Sequence, residues 1–459
     1  MADLTTNSKQ GGGNTVAIIA MFFMFAMISF VTNLAAPIGT IWGYYYEGNS
    51  FLGMLGNMMN FLAYLFMGIP AGNLLLRIGY KKTALLAMGI GIVGLFVQWL
   101  SGVGVMGDGA FIVYLIGAFI AGFCVCMLNT VVNPMLNLLG GGGNKGNQLL
   151  QTGGALNSLS GTLTPFLVGV LIGVLTPETR ISNVAPLLWI AMGVFAGASL
   201  IIWFVRIPEP NLQKKGAPKV KYSHSPWSFR HTVLGVIGIF IYVGIEIGIP
   251  STLNFYLADQ GSNGAGVIGE ASKVAGAVVA LYWLLMLVGR FTSGIISGKV
   301  STRTQLITVT AIGIILVIGA ILSGKETTVD VPTFVYSGPD GAVAQVPISA
   351  VYLILCGLCT SVMWGGIFNL AVEGLGKYTE KASGIFMMFV VGGGVIPLLQ
   401  QLISNKMGYM PSYWLIVGCL GYLFIYGVWG CINVNKDIPV GEEDATKEAE
   451  LGEAIYDAE

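Results

Sequence analysis

The chain has 459 residues, of which 54% are hydrophobic and only 10% are charged, and its mean hydropathy is +0.77. A soluble globular domain carries about 25% charged residues, so this composition excludes an ordinary soluble protein and indicates one that lies in a lipid bilayer. The net charge is zero, so the charge balance gives no reason to expect nucleic acid as a partner.

Twelve apolar stretches are long enough to cross a bilayer as helices. They lack the period-two alternation of a membrane β-barrel, so the predicted fold class is an all-α membrane protein with twelve transmembrane helices. The predicted spans lie near 16–43, 52–76, 83–101, 110–139, 149–175, 185–205, 232–258, 274–298, 304–323, 347–373, 383–404 and 412–434.

The longest polar interruption divides these spans six and six, and its proline- and lysine-rich composition is typical of a linker. An acidic C-terminal stretch follows the last span, and we expect it to be disordered. The predicted domains are an N-terminus at 1–14, an N-terminal half at 15–205, the linker at 206–231, a C-terminal half at 232–436 and the tail at 437–459.

Lysine and arginine are distributed unequally between the two sides of the predicted spans. The loops on one side contain only Arg180, Lys273, Lys325 and Lys406, and nearly all other basic residues belong to the opposite side. Positively charged loops favour the cytoplasm, so the sequence predicts that both termini are cytoplasmic.

Four pairs of segments recur in the same order in the two halves. Internal repeats of this kind are typical of secondary transporters. The pairs are TNLAAP (32–37) with IEIGIP (245–250), GNLLLRIGYKK (72–82) with GIISGKVSTRT (294–304), NPMLNLLG (133–140) with NLAVEGLG (369–376), and GTLTP (161–165) with GGGVIP (392–397).

Two prolines in the repeat follow a polar residue by four positions. Pro37 should free the backbone carbonyl of Asn33, and Pro250 that of Glu246, because proline cannot donate to the residue four before it. A freed carbonyl in lipid must find another donor, so these turns should face protein or a wet cavity. The matched pair favours a central binding site over two unrelated kinks.

Glu246 is the one acidic residue that the sequence places deep within a span. We expect no lysine or arginine at a comparable depth, so the carboxylate is predicted to be unpaired. Such a group can alternate between protonated and charged forms, and a charge at this depth is costly enough to indicate function. The leading interpretation is coupling to a cation; a direct contact with substrate and a structural hydrogen bond stay open.

The remaining candidates at the predicted midplane are amides and aromatic rings. Amides donate and accept hydrogen bonds at once, as sugar hydroxyls do, and aromatic faces cover a pyranose ring. For any single asparagine, a bond between helices is the competing role. The candidate substrate-binding residues are Asn33, Asn129, Asn133, Gln151, Asn157, Asn254, Trp283, Trp364 and Asn369.

Two other sequence patterns resemble functional motifs, but we interpret both as purely structural. Cys356 and Cys359 form a CxxC without a second pair or a nearby histidine, so we expect them to be small packing residues in a helix. The glycine-rich segment 140–147 lacks the GK[ST] ending of a phosphate loop and follows no strand. We therefore expect neither an enzyme nor a metal or organic cofactor.

The segment GNLLLRIGYKK (72–82) resembles the loop between the second and third helices of the major facilitator superfamily, with Leu76 in place of the usual acidic residue. Within that superfamily the chain most resembles the fucose–hexose–galactose:proton symporters. The segments that carry this resemblance are GIPAG (68–72), NPMLNLLG (133–140), LNSLSG (156–161), YVGIE (242–246), FNLAVEGLGKYTEKASG (368–384) and GGGVIP (392–397).

The resemblance implies a major facilitator fold of two pseudo-symmetric six-helix halves, in a monomer in the bacterial inner membrane. It implies import of a neutral monosaccharide by alternating access, driven by a proton or sodium gradient. Alternatives are transport of a nucleoside or amino sugar, a non-transporting membrane sensor and a channel. We expect the following residues to form a cytoplasmic gate: Arg77, Lys81, Lys82, Arg290, Lys299, Arg303 and Glu373.

The chain departs from the L-fucose permease pattern at both carboxylates associated there with proton coupling. Alanine replaces the aspartate of the first helix, and Asn129 replaces the glutamate of the fourth. Glu246 instead falls in the YVGxE position of the hexose-transporting branch. The resemblance therefore leaves the sugar and the coupling ion open.

Overall fold

The computed structural model describes residues 10–103, 107–139, 143–173, 175–205, 207, 209, 224–267, 270–296, 300–333 and 343–440. The predicted N-terminus up to residue 9, most of the linker and the acidic tail from residue 441 lie outside the described residues.

Within these described residues, twelve helical segments are long and apolar enough to cross a membrane, which confirms the predicted number of spans. The helices are α1 (Gln10–Asn33), α2 (Ala35–Tyr45), α3 (Ser50–Val103), α4 (Asp108–Leu139), α5 (Gly143–Leu171), α6 (Ala185–Phe204), α7 (Arg230–Ala258), α8 (Ala271–Ile296), α9 (Thr302–Leu322), α10 (Ile348–Val372), α11 (Thr379–Phe389), α12 (Gly392–Met407) and α13 (Tyr409–Ile425). Together α1 and α2 make the first span, α3 makes the second and third, and α11 and α12 make the eleventh.

Helices pack against one another within each predicted half, and α5 with α8 and α3 with α12 pack across the halves. In the first half, α3 packs against α4 and α6, and α1 against α4 and α5; in the second half, α10 packs against α7, α8 and α9. Large apolar side chains such as Phe204 (81% exposed) and Leu322 (74% exposed) lie on the outside. A soluble protein would bury such side chains, but they suit a surface that contacts lipid.

The two faces of the bundle are named here by their connections. The linker side is where α6 ends and α7 begins, and the far side is where α5 ends and α8 begins. A short antiparallel hairpin lies on the far side between α9 and α10. Its strands, β1 (Thr328–Pro332) and β2 (Val343–Pro347), pair Thr328 with Pro347, and the sequence analysis did not predict them.

Hydrogen bonds on the far side join the two halves. The hydroxyl of Tyr44 donates to the carbonyl of Ala258 at 3.3 Å, and the side chain of Asn254 donates to Thr40 at 3.1 Å. The hydroxyl of Ser50 donates to Asn405 at 2.7 Å. The far-side ends of the first, second, seventh and eleventh spans are therefore in contact.

Gly79 produces the sharp turn between the second and third spans inside α3. Its φ of 84° lies in the left-handed region that favours glycine. The carboxylate of Glu209 then accepts hydrogen bonds from the backbone N–H groups of Tyr80 at 2.6 Å and Lys81 at 3.0 Å. An acidic side chain at a helix start satisfies free donors and complements the helix dipole, so a linker residue caps the third span.

Glu209→Ala should destabilise the N-terminal half, because the third span loses both acceptors at its first turn. We expect a loss of about 1 kcal/mol, the usual effect of removing such a cap. The measurement is the midpoint of thermal unfolding in detergent. Glu178→Ala, in the exposed loop after α5, is the matched control and should leave the midpoint unchanged. Equal midpoints for the two variants would contradict this assignment of Glu209.

Candidate transport site

Glu246 lies in the middle of α7, as the sequence predicts. At the helical rise of 1.5 Å per residue, its Cα is about 24 Å from the start of the helix and about 18 Å from its end. Its side chain is 14% exposed. The carboxylate is therefore close to the level of the membrane midplane and nearly removed from solvent.

The prediction that this carboxylate is unpaired is wrong. The guanidinium of Arg290 on α8 donates from Nη2 to Oε1 of Glu246 at 3.3 Å. The side chain of Arg290 is itself only 10% exposed. The pair is therefore a buried ion pair, in which each charge compensates the other.

The sequence prediction failed because it compared the depths of the Cα atoms of Glu246 and Arg290 and not the depths of their charged groups. Arg290 lies only about 9 Å from the linker-side end of α8, at the usual rise per residue. However, side chains on a helix tilt toward its N-terminus, and α7 and α8 run in opposite directions. Glu246 therefore tilts toward the linker side while Arg290 tilts toward the far side, and the two charged groups meet between their Cα levels.

Arg290 also crosses from the C-terminal half to the N-terminal half. Its Nη1 donates to the carbonyl of Gly154 and, at 2.9 Å, to the hydroxyl of Ser158, both on α5. A Cβ at Gly154 would lie 3.3 Å from Nη1, so glycine leaves room for the guanidinium at this point. One cation thus contacts α5, α7 and α8.

Pro250 has no N–H group to donate to the backbone carbonyl of Glu246, and another donor takes its place. The hydroxyl of Tyr282 on α8 lies 3.2 Å from this carbonyl and 3.0 Å from the hydroxyl of Thr360 on α10. The expectation that the freed carbonyl finds a partner is therefore confirmed. In the first span, Leu34 between α1 and α2 keeps helical dihedral angles (φ −66°, ψ −22°), so Pro37 and Pro250 both lie within continuous spans.

Trp283 packs where the halves meet. The side chain is 4% exposed, and a Cβ on Gly161 would lie 3.2 Å from its indole ring. The same Cβ would lie 3.2 Å from Nδ2 of Asn33. Asn33 and Gly161 of the N-terminal half and Trp283 of the C-terminal half therefore form one cluster.

Three further predicted amides lie in the N-terminal half and donate to protein groups. Asn129 donates to the hydroxyl of Tyr64 at 2.8 Å, and Asn133 to the carbonyl of Asn129 at 2.8 Å. Asn157 donates to the carbonyl of Phe25 at 3.3 Å. These bonds fix each amide plane and leave its oxygen to accept from another group.

The other candidates do not all share this location. Asn254 lies about 6 Å from the far-side end of α7 and Asn369 is exposed in the last turn of α10, so their expected midplane positions are wrong. Trp364 packs near Tyr242, with ring centroids 6.1 Å apart. The backbone of Gln151 belongs to α5, but its side chain lies outside the described residues.

The predicted gate residues other than Arg290 and Lys299 lie on the linker side. The ammonium of Lys81 donates to the carbonyls of Trp203 and Val205, and Arg303 donates to the carbonyls of Gly427 and Val428. These contacts stay within one half. Arg77 and Lys82 are exposed, the carbonyl of Glu373 contacts His231, and Lys299 lies outside the described residues.

The cysteines belong to the packing of the bundle. All six are free, and Cys356 and Cys359 are buried in α10. In the part of the chain that the structure describes, no cluster of histidine, cysteine and acidic side chains could hold a metal ion.

Comparison with known proteins decides the family. The model of the Major Facilitator Superfamily matches residues 17–398. This chain belongs to the Major Facilitator Superfamily. Members of this superfamily are transporters, so the chain is a multi-pass membrane transporter and not an enzyme.

Named relatives confirm the resemblance to the fucose–hexose–galactose:proton symporters. The chain is 28% identical over 435 residues to the glucose/galactose transporter of Brucella abortus, covering 93% of this chain and 96% of that protein. It is 21% identical to the L-fucose-proton symporter of Escherichia coli, covering 80% and 82%. A crystal structure of the E. coli fucose:proton symporter matches with a TM-score of 0.66 at 17% identity, covering 91% of this chain and 99% of that one, which shows the same fold.

Gly161→Ala should destabilise the contact between the halves, because the added methyl group meets both Trp283 and Asn33. Overpacking of this kind usually costs about 1–3 kcal/mol. Gly169→Ala is the matched control on the same helix, since nothing lies within 4 Å of its added Cβ. Thermal unfolding in detergent should give a lower midpoint for Gly161→Ala than for Gly169→Ala. The assigned packing fails if the order is reversed.

Proposed function

We propose that the protein imports a neutral monosaccharide, such as glucose, galactose or fucose, by coupling its entry to a cation gradient. The observation that carries this proposal is the ionisable carboxylate of Glu246 at mid-span, paired with a cation that also contacts the opposite half. A group at this position can bind a cation from one side of the membrane and release it on the other.

The chemistry of the central residues supports a neutral substrate. While Glu246 is ionised it compensates the charge of Arg290, so in that state the site has no net charge for an anionic substrate to pair with. The cluster of Asn33 and Trp283 supplies an amide and an aromatic face, which suit sugar hydroxyls and a pyranose ring. Relatives named glucose/galactose transporters and an L-fucose-proton symporter support the same substrate class.

The proposed substrate-binding residues are those of the central cluster, with neighbours that the sequence analysis selected. Binding by both halves would draw them together around the sugar, which is the requirement for alternating access. The set comprises Asn33, Asn129, Asn133, Gln151, Asn157, Trp283 and Trp364. Asn254 and Asn369, which lie toward opposite ends of the spans, would act during entry and exit of the sugar.

A proton is the coupling ion that the site favours, and sodium is the alternative. Sodium would need several oxygen ligands around the carboxylate, whereas a proton needs only Glu246 itself. Asn129 stands where the L-fucose permease pattern has a second carboxylate. Binding of a proton by Glu246 does not depend on a carboxylate at that position. The name of the E. coli relative supports proton coupling.

The proposed orientation places the linker side in the cytoplasm of a bacterium, with the chain acting as a monomer in the inner membrane. The unequal distribution of lysine and arginine supports this orientation. Arg77, Lys81, Lys82, Lys299 and Arg303, with Glu373, would then lie at the cytoplasmic mouth. We propose that they regulate its opening through bonds to backbone carbonyls at helix ends, of the kind that Lys81 and Arg303 form within their own halves.

Asn129→Ala should weaken sugar binding while leaving expression intact, because it removes an amide that Tyr64 holds in place. Loss of one neutral hydrogen bond of this kind should reduce affinity by about tenfold. The measurement is calorimetric titration with a panel of neutral hexoses, 6-deoxyhexoses, amino sugars and nucleosides. Asn263→Ala, an exposed asparagine in the loop after α7, is the control. Unchanged affinity for every transported compound would remove Asn129 from the site.

Glu246→Gln should separate exchange from concentrative uptake. Glutamine resembles the protonated carboxyl group, so the variant should still exchange sugar across the membrane. It should no longer accumulate sugar against a gradient, because it can neither release a proton nor hold sodium. The measurement is counterflow and gradient-driven uptake in proteoliposomes, run separately with pH and sodium gradients.

Each interpretation of Glu246 gives a different result in that assay. A glutamate that only contacts sugar would lose exchange as well as uptake, and a structural glutamate would keep both. Asp330→Asn, an equal change of charge in the exposed strand β1, is the control and should keep both activities. Full concentrative uptake by Glu246→Gln would end the coupling hypothesis.

A further inference from the structure

The substrate-binding candidates of the C-terminal half supply mostly aromatic faces to the proposed sugar site. Asn254 and Asn369 lie toward opposite ends of their spans, which leaves Trp283 and Trp364. An indole N–H donates a hydrogen bond but accepts none. Alternating access requires that both halves hold the substrate. A polar group of this half near the level of Glu246 would complete the site.

Tyr242 on α7 lies at that level, one turn before Glu246. Its Cα is about 18 Å from the linker-side start of the helix and about 24 Å from the far-side end. Its side chain is fully buried (0% exposed). The hydroxyl interacts electrostatically with Glu246, Arg290 and Tyr282. Tyr242 therefore places a polar atom beside the buried ion pair.

The hydroxyl of Tyr242 is buried without a hydrogen-bond partner among the described residues. Its polar neighbours are already engaged. Arg290 donates to Glu246 at 3.3 Å, and the hydroxyl of Tyr282 lies 3.2 Å from the carbonyl of Glu246 and 3.0 Å from the hydroxyl of Thr360. A buried hydroxyl without a partner is unfavourable, and such groups are rare in native proteins. A hydroxyl group of the substrate would supply the partner.

The ring of Tyr242 lies next to that of Trp364 on α10. The ring centroids are 6.1 Å apart and the planes are tilted by 53°. Trp364 is half-buried, whereas Tyr242 is fully buried. An aromatic face covers a pyranose ring, and a phenol hydroxyl donates and accepts hydrogen bonds at once, as sugar hydroxyls do. The two residues together offer a stacking surface and a hydrogen-bonding group from adjacent helices.

We propose that the hydroxyl of Tyr242 binds one hydroxyl group of the transported sugar and thereby selects the sugars that the transporter accepts. This inference rests on the proposed function and deepens it, because it adds a specificity-determining contact from the C-terminal half. The sugar and the coupling cation would then be held one helical turn apart on α7.

Glu246 is the protein group that could compete for this hydroxyl, because its carboxylate lies one turn further along the same helix. That carboxylate already accepts from Arg290 through Oε1. A tyrosine that only oriented Glu246 would affect every sugar equally, whereas a tyrosine that binds the sugar would affect one position of the sugar ring. The two roles therefore give different results when sugar hydroxyls are removed one at a time.

The test measures the affinity for D-glucose, D-galactose, L-fucose and their monodeoxy derivatives by calorimetric titration. The proteins compared are the parent and Tyr242→Phe. Phenylalanine keeps the ring next to Trp364 and removes only the hydroxyl. Tyr256→Phe is the matched control, because it removes another buried hydroxyl from the same helix, near the far-side end.

In the parent, removal of the sugar hydroxyl that Tyr242 binds should weaken affinity by about tenfold, the usual effect of one neutral hydrogen bond. Tyr242→Phe should weaken binding of the intact sugar by about tenfold for the same reason, and removal of that sugar hydroxyl should then have no further effect. Removal of any other sugar hydroxyl should give the same ratio of affinities in both proteins. Tyr256→Phe should reproduce the ratios of the parent throughout.

Thermal unfolding in detergent provides a second readout. Tyr242→Phe should have a midpoint no lower than that of the parent, because no described protein group loses a hydrogen-bond partner. Tyr282→Phe should have a lower midpoint, because the carbonyl of Glu246 loses its donor. If the midpoint of Tyr242→Phe falls as far as that of Tyr282→Phe, the hydroxyl has a structural partner and the assignment is wrong.

Two results of the titrations would overturn the assignment. One is a loss of affinity in Tyr242→Phe by the same factor for each sugar and all of its monodeoxy derivatives, which is the result expected if Tyr242 only orients Glu246. The other is unchanged affinity for all of them, which is the result expected if the hydroxyl binds only water.

This assignment and the proposed function can fail separately. If the parent binds and concentrates a hexose but no sugar hydroxyl depends on Tyr242, the proposed function stands and the assignment fails. If none of the three sugars binds to the parent, the proposed function fails and the assignment fails with it.

Discussion

The buried pair of Glu246 and Arg290 is the constraint on which the rest of the candidate transport site depends. Neither charge could remain at this depth alone, because transfer of an isolated ion out of water is far more costly than any single packing contact. Together they are tolerated, and the cation gains two acceptors from α5. The site is therefore stable in one arrangement and sensitive to the loss of one charge.

The packing around the pair explains how such sensitivity reaches the whole bundle. At the interface between α5 and α8, large side chains of α8 lie against glycines of α5: Arg290 against Gly154, and Trp283 against Gly161. Small residues let membrane helices approach closely, and close-packed interfaces shift between discrete arrangements more readily than they deform. A change of charge at Glu246 would consequently act on the spacing of two helices that belong to opposite halves.

The sequence was sufficient for the fold and for part of the site. Hydropathy located the twelve spans because each must be apolar over its length, and the position of Pro250 predicted that the carbonyl of Glu246 needs a new donor. Sequence position could not identify that donor as Tyr282, because it comes from a different helix. The depth of Arg290 was misjudged for a related reason: an arginine side chain is long, and its direction depends on the direction of its helix.

Positions near helix ends were also hard to predict from the sequence. Asn254 and Asn369 lie within apolar segments that the hydropathy pattern does not divide into centre and edge. In the folded bundle, Asn254 donates a hydrogen bond to Thr40 on the far side, and Asn369 is exposed on the linker side. The hairpin of β1 and β2 was missed because it lies in a loop outside the spans, where hydropathy carries no information about pairing.

The ion pair also determines how the membrane potential would act on the proposed cycle. With Glu246 ionised, the central site has no net charge, so the empty transporter would return without moving charge through the field. With Glu246 protonated, Arg290 leaves the site with one positive charge, so the loaded step would carry that charge across together with the sugar. Moving one charge through 100 mV is worth about 2.3 kcal/mol. In the proposed cycle, a fixed cation beside Glu246 would therefore place the electrical driving force on the step that carries the substrate.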